Sequence, residues 1–66
     1  MGLSTKIVEI LKNHGSTGMI GIRYYLSAEY ETRAGEHYNS DDMAYIMQGL
    51  LKDEIIQESN GYYSIV

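Results

Sequence analysis

A chain of 66 residues has room for one small domain with a single core, which excludes an enzyme built from separate substrate and cofactor domains. It contains no Cys, so neither a disulfide framework nor a thiolate metal site holds it together, and packing must do so, with a homodimer as a secondary expectation. Five Lys and Arg against nine Asp and Glu leave a formal charge of −4, opposite in sign to the basic footprint of a nucleic-acid binder.

The opening Met-Gly-Leu-Ser-Thr-Lys carries no apolar stretch behind basic residues, and no run approaches the ~20 apolar residues of a bilayer span. The expected setting is cytoplasmic, with no membrane partner. Pro is absent and the seven Gly are scattered, so the chain reads as one folded domain over residues 1–66 without a flexible linker.

The first helix is predicted to take Ser4 or Thr5 as its N-cap and to stop near Gly15 in a left-handed conformation, with Leu3, Ile7, Ile10, Leu11 and Val8 as its apolar stripe. Ser16 or Thr17 is expected to cap a second helix. There Met19, Ile22, Leu26 and Tyr30 share one side, and Ile20 and Tyr24 widen it. Gly15, Gly18 and Gly21 match neither the dinucleotide nor the P-loop fingerprint, so no nucleotide cofactor is expected, and Gly21 is read as a point of close helix approach or fraying.

Residues Glu31 to Asn39 form a polar connector, longer than the turn of a compact helix-turn-helix. Ser40 is predicted to cap the third helix, where Asp41 and Asp42 complement the positive end of the dipole. Met43, Ile46, Met47, Leu50 and Leu51 recur at intervals of three and four, which turns Asp41, Asp42, Tyr45, Gln48, Gly49 and Lys52 outward. Ile55-Ile56 follow after a charged break. A two-residue type I′ turn at Asn60-Gly61 then pairs Ser59 with Tyr62, Glu58 with Tyr63, Gln57 with Ser64 and Ile56 with Ile65. Ile56, Tyr63 and Ile65 share the face that closes over the helices, while Gln57, Ser59, Tyr62 and Ser64 lie outside. A bare hairpin is marginal in water, so a third short strand is expected near Gly15 to Gly18.

Ser40-x-x-Met43-x-x-x-Met47-x-x-Leu50-x-x-x-Glu54-Ile55-Ile56, with Thr17-x-x-Ile20 before it and Gly61-Tyr62-Tyr63-x-Ile65 after it, resembles the winged helix-turn-helix superfamily over nearly the whole chain. Glu54 stands where such proteins often carry Gly. The resemblance implies an α+β fold, three helices with a C-terminal β-hairpin wing, acting as a small DNA-binding transcriptional regulator that puts helix 3 into the major groove. On that reading Gln48 pairs with an adenine edge, Tyr45 touches base or sugar, Lys52, Arg33 and Arg23 meet phosphates, and Asn60 lies at the tip of the wing that touches the duplex.

The alternative is an acidic protein-interaction module that ignores DNA. All seven aromatic residues are Tyr, a residue enriched at interfaces, and Tyr25, Tyr38, Tyr45 and Tyr62 are its candidate contacts. Tyr24 or Tyr30, with Tyr63, is assigned to the core. Catalysis is not expected, because His14 and His37 fall on separate turns and no spacing fixes a metal or a catalytic pair; no cofactor is expected either.

Overall fold

Apolar residues three and four apart decide which face each helix buries, and in the computed structural model, which describes residues 2–30 and 40–66, those faces meet in one core. In chain order the elements are α1 (Leu3–His14), β1 (Thr17–Gly18), α2 (Met19–Tyr30), α3 (Ser40–Lys52), β2 (Ile56–Ser59) and β3 (Tyr62–Ile65). The described residues thus form three helices and a three-stranded antiparallel sheet in the order β1-β3-β2, an α+β arrangement of winged-helix-like form. The expected polar connector, with Arg33 and Tyr38 in it, lies outside the described residues.

Ile7, Ile10 and Leu11 of α1 meet Ile22 and Leu26 of α2, Met43, Met47 and Leu50 of α3, and Ile56 of β2. Each such side chain contributes about 1.5–3 kcal/mol when fully buried, so this cluster is the main term opposing chain entropy. The predicted stripe of α2 needs correction at two positions. Ile20 is 87% exposed and Tyr24 64% exposed, whereas Tyr25, one position on, is half-buried against the core. Both outward residues lie off the line from Met19 through Ile22 and Leu26 to Tyr30, and the sheet reaches only the start of this helix, so no described element covers a wider stripe.

The predicted caps also change. Helix α1 starts one turn early, with Gly2 rather than Ser4 or Thr5 at its N-cap and no side-chain cap bond. It ends at Gly15 as expected, but with φ 77° and ψ −150°, outside the left-handed helical region and in a region open essentially to glycine alone. Neither Ser16 nor Thr17 caps α2, because Thr17 is spent on the sheet. It pairs with Tyr63, is buried, and its hydroxyl donates to the Gly15 carbonyl at 2.9 Å. Ser40 is the first described residue of α3, and the residues before it lie outside the described ones.

The end of α3 explains the unexpected glutamate. The Ile55 amide donates to the Leu50 carbonyl at 3.0 Å and the Glu54 amide to the Leu51 carbonyl at 3.1 Å, the paired bonds of a Schellman C-cap. Glu54 sits at its left-handed position with φ 59°, where a Cβ is unfavourable. The chain is thereby turned into β2 with Ile56 directed inward. The hairpin then forms in the predicted register throughout, with Asn60 at φ 54° and Gly61 at φ 85° as a type I′ turn demands. Ile56 is buried and Tyr63 and Ile65 are half-buried on the inner face; Ser64, expected outside, is half-buried as well. The anticipated third strand is β1, whose Thr17 and Gly18 face Tyr63 and Tyr62.

Gly21 marks a close approach, although to the strand and not to another helix: a Cβ there would stand 2.6 Å from Thr17 Cγ2. Two stability outcomes follow. Glu54→Gly relieves the left-handed strain at an exposed site and raises stability by about 0.5–1 kcal/mol in urea melts. Gly21→Ala lowers stability by about 1–2 kcal/mol despite the better helix propensity of alanine, because buried Thr17 cannot move aside without losing its bond to Gly15. Adding Thr17→Ser, which removes the clashing methyl and keeps the hydroxyl, recovers most of that loss.

Candidate interaction surfaces on helix α3, the wing and the sheet edge

Helix α3 buries Met43, Met47 and Leu50 and leaves Asp41, Asp42, Tyr45, Gln48, Gly49 and Lys52 exposed, as the three-and-four spacing requires. Tyr45, Gln48 and Lys52 therefore run along one stripe of the helix, with Tyr45 78% exposed. The other residues expected at DNA are dispersed. Arg23 is half-buried on α2, and Asn60 is consumed by the turn at the wing tip. Arg33 lies outside the described residues.

The distribution of charge is more decisive than its total. Residues 1–39 carry four cationic and four acidic side chains and are neutral, so the whole −4 belongs to residues 40–66. In that segment Asp41, Asp42, Asp53, Glu54 and Glu58 are all exposed, and Lys52 is the one cation. Asp41 and Asp42 have a local reason in the dipole of α3, as does Lys52 in its last turn. That local reason does not hide their charge from a partner. The strands and turn of the wing, Ile56 to Ile65, contain Glu58 and no Lys or Arg. An anionic duplex approaching α3 and the wing would meet five carboxylates, which raises its potential energy where a nucleic-acid surface should lower it.

A second surface lies at the other end of the hairpin. The Asn60-Gly61 turn, β1 and the first turn of α2 enclose an open groove of about 690 Å³, lined among others by His14, Met19, Ile20, Tyr25, Asn60 and Tyr62. Sequence reasoning placed Tyr25 and Tyr62 in a contact set with Tyr38 and Tyr45. The structure brings the first two to one groove, leaves Tyr45 on α3, and places nothing for Tyr38, which is outside the described residues. No side chain of α3 lines this groove.

One wall of it was missed in the sequence. The His14 ring stacks on Tyr25 with centroids 3.7 Å apart and planes 7° from parallel, and His14 Nε2 meets Glu29 Oε2 at 2.5 Å. Tyr25 also takes the Tyr24 ring edge-on at 5.3 Å. Tyr25 and Glu29 are four residues apart, so they share a face of α2, and His14 at the last position of α1 reaches both. The i,i+4 spacing was legible; the partner fifteen residues upstream was not. His14→Ala is expected to lower stability by about 1 kcal/mol in thermal melts, an aromatic pair plus a partly exposed hydrogen bond, while α3 amide shifts stay unchanged.

No group of three or more His, Cys, Asp or Glu among the described residues is placed to hold a metal ion, and no helix among them is long and apolar enough to cross a membrane. Comparison with known protein families, with curated proteins and with solved structures finds no match to this chain.

Proposed function

We propose that this domain is an acidic protein-interaction module, which docks through α3 and the wing on a partner of opposite charge. The observation that carries this reading is that the entire net charge belongs to the segment of α3 and the wing, residues 40–66, with five exposed carboxylates against Lys52. Long-range attraction between such an acidic segment and a cationic protein surface accelerates encounter and selects orientation, and exposed Tyr45 on α3 supplies apolar area with a hydroxyl. The helix is rigidly held by Met43, Met47 and Leu50, so little ordering is needed on docking.

A second reading, a small DNA-binding transcriptional regulator, is favoured by one specific observation: Tyr45, Gln48 and Lys52 form an exposed stripe on the helix that winged-helix proteins insert into the major groove. Fold alone does not establish that role. It would require Arg23 and Arg33 to outweigh the carboxylates flanking the stripe.

The two readings respond oppositely to ligand charge. Titration of labelled protein with a Lys- and Arg-rich peptide in ~50 mM salt is expected to shift α3 and β2 amides, with the shifts fading by ~500 mM salt. Asp53→Asn with Glu58→Gln weakens that binding several-fold and leaves the fold intact, both side chains being exposed. Duplex DNA in ~50 mM salt is expected to move none of these amides. Shifts of α3 amides with DNA, steeply reduced by salt and lost in Lys52→Glu, overturn the proposal in favour of the regulator.

A further inference from the structure

Glycine inside a helix needs a physical reason, because it weakens the helix relative to alanine. Among the described residues Gly49 of α3 has none. It is exposed, its φ is not positive, and a Cβ there would meet nothing within 4 Å, so neither a turn nor close packing excludes a side chain. What the missing side chain leaves is space. A hollow of about 250 Å³ opens at this position, lined among others by Tyr45, Ile46, Gly49, Leu50, Asp53 and Ile55. The Asp53 amide donates to the Gly49 carbonyl at 3.0 Å, so helical spacing runs on past Lys52 and sets Tyr45, Gly49 and Asp53 on successive turns of one side. The hollow therefore combines an exposed aromatic ring, an apolar lining and the exposed Asp53 carboxylate. Asp53 is the one charged residue of the described lining, and it has no ion-pair partner among the described residues.

We propose that this hollow seats one arginine side chain of a cationic protein partner, its methylene stem over Gly49 and its guanidinium set against the Tyr45 ring and the Asp53 carboxylate. The inference rests on the reading of α3 and the wing as a surface for a cationic protein, and names the group that such a partner inserts. Small-molecule pockets enclose roughly 300–1,000 Å³, so a hollow of this size suits a side chain better than a free ligand. An apolar side chain would cover Asp53 without answering its charge, and an anionic one would meet repulsion. Lysine answers the charge as a compact point with no flat surface. Arginine answers it with a planar fork that pairs with a carboxylate through two N–H donors and stacks on an aromatic face, while its stem covers Ile46, Leu50 and Ile55.

Titration of the labelled full chain in ~50 mM salt with a peptide of alternating Arg and Ser, and with its Lys counterpart of the same length and charge, tests this. The Arg peptide is expected to bind at least ~5-fold more tightly, with intermolecular contacts from arginine methylenes to the Tyr45 ring. Gly49→Leu fills the hollow and changes no charge. It weakens the Arg peptide at least ~10-fold while raising the melting temperature, since leucine is the better helix former, so lost binding cannot be lost folding. Asp53→Asn removes the preference for Arg over Lys. Three results overturn the seat and leave the wider reading of α3 and the wing standing: peptides that shift α3 and β2 amides equally in wild type and Gly49→Leu, equal affinity for the Arg and Lys peptides, or arginine contacts that map away from Tyr45. Peptides that move no α3 amide overturn both.

Discussion

The pairing of β3 with strands on both its sides is the constraint on which the remaining architecture depends. A two-residue turn closes β2 on β3, and a two-stranded ribbon of this length is marginal in water. What anchors it is β1, only Thr17 and Gly18, which ties β3 to the junction between α1 and α2. Through that bond the wing is fixed to the helical layer. Tyr63 serves both pairings, opposite Glu58 on one side and Thr17 on the other, while Ile56 and Ile65 close the inner face. The space needed at the junction explains why Gly21 lacks a side chain, since Thr17 fills the place a Cβ would take.

From this frame the two ends of the hairpin acquire different chemistry. At its base, the Schellman turn at Glu54 carries α3 into β2 and leaves Asp53, Glu54 and Glu58 on the same acidic stretch as Asp41 and Asp42. At its tip, Asn60-Gly61 comes against β1 and the start of α2, where the described lining holds no Asp, Glu, Lys or Arg and Ile20 is exposed. One small core therefore supports an acidic face and a neutral groove on separate elements. The two surfaces therefore differ in their response to salt, which screens the acidic one and leaves the uncharged one little affected.

Winged-helix-like architecture carries an expectation of DNA binding, and the charge map sets that expectation against the physics of phosphate recognition. Nucleic-acid affinity is supplied mostly by cations placed along the backbone of the duplex. In residues 40–66 the one cation is Lys52, at the C-terminal end of α3 where it stabilises the helix dipole. The neutral half of the chain holds Lys6, Lys12, Arg23 and Arg33, and of these Lys6 lies 6.0 Å from the centroid of the Tyr30 ring, a cation–π contact on the α1–α2 side. Tyrosine on the outer surface suits contact with protein, because it offers a broad apolar ring without leaving a polar group unsatisfied.

Local rules were enough for some elements and not for others, and the difference follows from how far the deciding interaction reaches. The apolar spacing of α3, the Asn60-Gly61 turn and the full hairpin register were legible, since each is set by residues within a few positions of one another. The outward stripe Tyr45, Gln48 and Lys52 was legible for the same reason. The start of α2 was misread, because Thr17 offers a good helix cap locally but is claimed by Tyr63, 46 positions away in sequence. Ile20 and Tyr24 look like core by composition and are exposed, as no described element packs on that flank of α2; Tyr25 looks like surface and is held by His14 at the end of another helix. Sequence by itself determined the order of elements, the buried face of α3, the turn and the location of the charge. Only the tertiary structure decided which apolar residues find a covering layer and which groups gather at the groove, because burial depends on what lies opposite in space, and periodicity records only which residues share a side.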